Sequence, residues 1–161
     1  MHQKTYVDNF LNGNLSKTEQ RKIGLRPWTS DIVERTLLIT GGSIQALDSA
    51  IYNGISGNLA GGTHHAHYSY GSGYCIFNDI AVCASYCKNN YKNFQNILII
   101  DLDVHQGDGT ASLMKKEKSI FTFSIHCETN FPLKKENSDI DISLKKDTSD
   151  TEYLNVLYSN L

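Results

Sequence analysis

Proline occurs twice and tryptophan once in this chain. No stretch approaches the roughly 18 uninterrupted apolar residues of a membrane-spanning helix, so no such helix is expected. The opening Met1-His2-Gln3-Lys4-Thr5-Tyr6-Val7 lacks the apolar core of a signal peptide, and the expected location is cytoplasmic. Charge of one sign is lacking too: Lys+Arg number 15 against Asp+Glu 17, a net charge of -2. That balance gives no general attraction to nucleic acid or an anionic membrane. There is no internal repeat and no low-complexity tract. What remains, 161 residues with 40% hydrophobic and 20% charged, is enough chain to bury a real core.

The four cysteines, Cys75, Cys83, Cys87 and Cys127, are expected to be small packing thiols held reduced. Cys83 and Cys87 stand one helical turn apart, as C-x-x-x-C and not C-x-x-C, with a thiolate zinc site or a redox pair as the alternative to packing.

Residues 1–28 are polar and broken by Asn12-Gly13-Asn14, which predicts one or two short helices. Thr29 and Ser30 can cap a long helix ending at Asn53-Gly54. Ile32, Val33, Leu37, Leu38, Ile44, Leu47 and Ile51 form its apolar stripe, and Gly41-Gly42 is a point of bending. Residues 55–62 read as a short strand. Asn78-Asp79 caps a helix from Ile80 to about Asn90. Ile97 to Ile100 is an apolar run too short for a helix, hence a buried parallel strand, and Ile120 to Ile125 is another. Ala111 to Lys116 and Thr148 to Leu161 read as helices. Alternation of strand and helix is the pattern of an α/β domain with a mainly parallel sheet flanked by helices.

The first strand runs into Asp101-Leu102-Asp103-Val104-His105, and continued strand geometry would turn Asp101, Asp103 and His105 to one face. Ligands of open α/β sheets sit beyond the carboxyl ends of the strands, and a mixed carboxylate and imidazole set suits zinc or another first-row divalent ion. Two or three donors at a strand end are also what an acidic strand terminus gives without a metal. A second cluster is His64-His65, with His67, after Gly61-Gly62-Thr63. Imidazoles titrate near neutrality and carry protons, and Asp101 and Asp108 are the carboxylates placed to tune them.

Four ordered blocks carry a resemblance: Gly61-Gly62-Thr63-His64-His65-Ala66, Gly73-Tyr74-Cys75-Ile76-Phe77-Asn78-Asp79, Asp101 through Thr110, and Phe123-Ser124-Ile125-His126. They resemble the signature blocks of the zinc-dependent histone deacetylase family. Asn130-Phe131-Pro132 and Ser138-Asp139-Ile140-Asp141 point to its class IV and bacterial deacetylase-like branch. The resemblance implies a partial arginase/deacetylase-like fold, as a single domain over residues 1–161, and hydrolysis of an acetyl-lysine or acetylated-amine amide to free amine and acetate. Asp103 and His105 would be two of three zinc ligands. His64 and His65 would be the tandem histidines, with Asp101 bonded to the first and Asp108 to the second, and His65 would be the general base and acid. Asp101, Asp103, His105, Ser124 and Ile125 would surround a potassium ion. Gly73, Tyr74 and Phe131 would form the acyl-lysine channel. Tyr68 and Tyr70 lie close enough to the histidine pair in sequence to line a pocket mouth.

The family's catalytic domains are longer than this chain, and the third zinc ligand, an aspartate, and an oxyanion-binding tyrosine would follow residue 161. Asp139, Asp141 and Asp150 are not expected to replace that ligand. An earlier first strand would precede residue 1. The expectation is therefore a deacetylase truncated at both ends, with an open sheet edge and little activity alone. The alternatives are a non-catalytic relic or interaction module, or one half of a split enzyme that pairs with a complementary half or with itself. An arginase-like dimetal hydrolase fits the Gly-Tyr-Cys and tandem-histidine blocks less well. Lys134-Lys135 and Lys145-Lys146 read as solvated loop charges, and Trp28 as a packing residue.

Overall fold

The opening segment forms two helices, α1 (Lys4–Leu11) and α2 (Lys17–Ile23), in the computed structural model, which describes residues 1–161. Ser16 and Glu19 close a reciprocal capping box at the start of α2, and Gly24, at φ 89°, ends it in the left-handed conformation. Tyr6 and Phe10 of α1 and Ile23 of α2 enter a core with Ile32, Ile76 and Phe77. Trp28 lies edge-on to Phe10 at 6.3 Å, a packing role.

Helix α3 (Asp31–Asn53) continues as one helix through Gly41-Gly42. Gly42 serves closeness: a Cβ there would lie 3.2 Å from Asn58 Nδ2, which donates to the Ile39 carbonyl and the Ser43 hydroxyl. Ser30 holds the N-cap position without a side-chain cap bond. The predicted apolar stripe is only partly used, since Ile32 is buried while Leu37 and Leu38 are exposed.

The strand expected at residues 55–62 is absent. Two of its backbone donors go to side chains instead, Ala60 N–H to Asn58 and Gly62 N–H to Asp79, and Gly61 N–H turns back to the Asn58 carbonyl. Helix α4 (Asp79–Asn90) starts where expected, with the Asn78 side chain accepting from Ala81 N–H. All four cysteines are free, and burial pushes the Cys75 and Cys83 thiols up to about 12.

The sheet has three parallel strands in the order β1-β2-β3: β1 (Ile97–Asp101), β2 (Ile120–Cys127) and β3 (Ile140–Leu144). Helix α5 (Asp108–Met114) crosses between β1 and β2, and α6 (Asp150–Asn160), capped by Ser149, follows β3. Ile99 and Ile120 pack with Ala81, Ala84 and Met114. Strand β1 is buried on one face only: Leu98 and Ile100 alternate with Ile99 and are 53% and 43% exposed. A cavity of about 540 Å³ runs along β1, lined by Leu98, Ile100, Leu102, Ile80 and Leu47. No helix is long and apolar enough to cross a membrane.

Candidate active site

Strand β1 ends at Asp101, so the alternation of Asp101, Asp103 and His105 does not come from a continued strand as the spacing suggested. Two successive side-chain-to-backbone turns set it instead. Asp101 accepts from Asp103 N–H at 3.0 Å, and Asp103 accepts from His105 N–H at 2.8 Å. Asp103 Oδ1 and His105 Nδ1 lie 2.9 Å apart, half exposed.

The tandem histidines meet this turn from the other side. His64 and His65 are buried, with ring centroids 4.0 Å apart. His64 Nδ1–H donates to Asp101 Oδ2 and His65 Nδ1–H donates to Asp108 Oδ1, both at 2.6 Å. The tautomers follow, because an ionised carboxylate only accepts. Each ring therefore offers Nε2 to the cavity, and His64 Nε2 stands 3.9 Å from Asp103 Oδ1. Burial opposes a charge on His64, but the Asp101 bond and the surrounding carboxylates outweigh it and raise its pKa. Burial likewise works against the Asp108 carboxylate, yet the hydrogen bonds from His65 and His67 hold it down at about 2.

The cavity in front of these rings measures about 500 Å³, and its walls include His64, His65, Asp103, His105, Tyr74 and Phe131. Phe131 stands edge-on to His65 at 4.8 Å and to His105 at 6.2 Å. Gly73, at φ 51°, passes so close that a Cβ there would lie 2.5 Å from the His65 ring. Tyr74 is 70% exposed at the rim. Tyr68 and Tyr70 do not line this cavity, contrary to expectation: Tyr68 faces solvent and Tyr70 stacks on His67.

Several supports were not singled out from the sequence. Asp79, fully buried, accepts from Ser43, from Gly62 N–H and from the Thr63 N–H and hydroxyl, fixing the loop that delivers His64. The Asn78 side chain donates to the His64 and Ala66 carbonyls. Gln106 bridges to the Glu136 carbonyl and to Asp141, and Lys135 donates to the Asn130 and Pro132 carbonyls. Both tie down the segment bearing Phe131, so Lys135 is not the free loop charge it was expected to be. The one sequence signal for Asp79 is its place beside Asn78, which reads as helix capping alone.

Asp103 and His105 are the chemistry a divalent first-row ion takes, a carboxylate oxygen and an imidazole nitrogen converging at a strand end. No cluster of three His, Cys, Asp or Glu side chains forms around them. Asp139 is occupied by Thr122, and Asp141 by Gln106 and Ser138. The residues present thus fit part of a metal's ligand set. Ser124 and Ile125 are buried in β2, with Ser124 paired to Asp101 across the ladder and its hydroxyl bonded to His126 Nδ1 at 3.0 Å.

The histone deacetylase domain profile matches residues 1–161. An uncharacterized protein of Picosynechococcus sp. is 45% identical over 161 residues, which is 100% of this chain and 53% of that one. The polyamine deacetylase HDAC10 of Danio rerio is 36% identical over 92 residues, 55% of this chain and 14% of that one. Among solved structures, an HDAC homolog from Aquifex aeolicus superposes with a TM-score of 0.82 at 28% identity, covering 99% of this chain and 48% of that one. The chain spans about half the length of the Picosynechococcus and Aquifex proteins, and its sheet and flanking helices have the fold of the corresponding part of the latter.

Proposed function

The chain belongs to the histone deacetylase family, and from that footing we propose that it carries the proton-handling half of a zinc-dependent deacetylase site. The reaction is hydrolysis of an acetyl-lysine or acetylated small-amine amide to amine and acetate. The observation that supports it most strongly is the pair of buried histidines, each bonded through Nδ1 to its own carboxylate and each presenting Nε2 to one cavity beside Asp103 and His105.

Asp103 and His105 would hold the zinc ion together with ligands from outside these residues. When bound, zinc supplies Lewis acidity at the acyl carbonyl and lowers the pKa of water. His65 Nε2 takes the proton of the attacking water and returns it to the departing amine, while Asp108 holds the ring in the tautomer that leaves Nε2 free. His64, fixed by Asp101, places a second polar group beside the developing negative charge. Phe131, with Gly73 and Tyr74, walls a passage suited to the uncharged methylene stem of an acyl-lysine. Asp101, Asp103 and His105, with Ser124 and Ile125, would hold a potassium ion behind the site.

A second reading has its own observation. The open edge of β1, with Leu98 and Ile100 exposed along a 540 Å³ cavity, is a surface for a further strand. We propose that a complementary half of the family fold docks there, and that the chain has little activity without it. Hydrolysis of a fluorogenic acetyl-lysine peptide is the test. The chain is mixed with a polypeptide holding the unmatched half of the Picosynechococcus relative, and wild type is compared with His65→Ala. Zinc-dependent turnover lost in His65→Ala is expected; equal turnover in both would overturn the reading.

A further inference from the structure

A third histidine sits behind the tandem pair and has no part in the reaction described. His67 is buried, and its Nε2 lies 3.1 Å from Asp108 Oδ2, the oxygen that His65 does not use. One carboxylate therefore accepts from two imidazoles, His65 at 2.6 Å on one oxygen and His67 at 3.1 Å on the other. The His67 ring is held between Asp108 and Tyr70. It stacks on Tyr70 with centroids 4.5 Å apart, and the Lys22 ammonium lies 3.3 Å above the far partner of that stack, the Tyr70 ring. His67 N–H donates to the Tyr70 carbonyl, and the His67 carbonyl accepts from His2 Nδ1 at 2.8 Å. The titratable and charged groups around it are thus Asp108 and His65 in front, Tyr70 with Lys22 over its ring, and His2 behind.

A side chain needed only to fill this space against Tyr70 would not also aim a donor at the Asp108 oxygen. We propose that His67 is a positioning residue which, by sharing Asp108, divides that carboxylate between two donors and weakens its pull on the His65 Nδ1 proton. A carboxylate with one donor holds that donor more strongly than a carboxylate with two, because each N–H draws on the same negative charge. His67 therefore moderates how firmly Asp108 holds the ring assigned above as proton carrier. The inference rests on that assignment, but its test reads a hydrogen bond and not turnover, so its failure would leave the deacetylase reading standing.

The experiment is NMR on the full chain, labelled with 15N-histidine, in metal-free buffer. Asp108→Asn identifies the two imidazole protons bonded to Asp108. His67→Met removes the donor, and His67→Gln keeps one on a side chain of similar length. In His67→Met the His65 Nδ1 proton moves downfield and exchanges more slowly with solvent, whereas His67→Gln keeps it near the wild-type position. If the Met variant does not fold, His67→Phe, which retains a ring against Tyr70, is read in its place with the same expectation. A His65 proton that stays put when the donor is removed, or that moves equally in the Gln variant, would overturn the proposal.

Discussion

Removing the Asp79 carboxylate is the perturbation whose cost can be followed bond by bond. Its two oxygens accept from Ser43 at 2.5 Å, Gly62 N–H at 3.1 Å, Thr63 N–H at 2.8 Å and the Thr63 hydroxyl at 2.7 Å. In Asp79→Ala all four donors lose their acceptor, but they do not suffer alike. Gly62 is exposed and Thr63 half-buried, so water can replace much of what they lose, whereas Ser43 is buried and has no such recourse. At about 1–3 kcal/mol for each donor left unsatisfied, and less for those that reach water, the loss comes to about 3–4 kcal/mol. At about 2–4 °C per kcal/mol for a chain of this size, the melting temperature falls by about 10 °C. Asp79→Asn keeps one acceptor oxygen and should lose about half as much. Urea titration of the three proteins, followed by circular dichroism, measures both losses. A drop below about 1 kcal/mol in Asp79→Ala would refute the idea that this carboxylate anchors the loop leading into His64.

The Asp108 carboxylate is held at about 2, below its ordinary 3.8, so its contribution to stability is full above pH 4 and disappears as the pH falls through 2. That contribution is at most about 2 kcal/mol, and urea midpoints between pH 5 and 2 should fall more steeply in wild type than in Asp108→Asn; parallel curves would contradict the two-histidine arrangement. Hydrogen bonds from Thr129 lower the Cys127 thiol, while burial pushes Cys75 and Cys83 up to about 12. Alkylation at pH 8 should therefore proceed first at Cys127, and Cys127→Ser should lose the fast phase; unchanged kinetics would refute it.

How far these features could be read in the sequence depended on whether they were local. Helix α4 was legible because Asn78 carries its own cap signal, and β1 because Ile97 to Ile100 is apolar, short and sharply bounded. Strand β3 was not singled out as a strand, although Ile140, Ile142 and Leu144 alternate with Asp141 and Ser143, because five half-polar residues read as a motif before they read as a strand. Residues 55–62 read as a short strand running into Gly61-Gly62, yet Asn58 and Asp79 claim the Ala60 and Gly62 backbone donors, and a partner 17 residues away leaves no local trace. The pairing of His64 with Asp101 and His65 with Asp108 came from the resemblance. The convergence of His67 on the same Asp108, and the grip of Gln106 and Lys135 on the Phe131 segment, depend on folding that no spacing encodes.

The central claim, that Asp103 and His105 belong to a metal site facing the tandem histidines, is tested most directly by zinc binding. Equilibrium dialysis of the purified chain should show one zinc ion bound more weakly than a closed four-ligand site would hold it, and an Asp103→Ala, His105→Ala double variant should lose that ion while keeping the wild-type circular dichroism spectrum. A double variant that binds zinc as the wild type does would contradict the account.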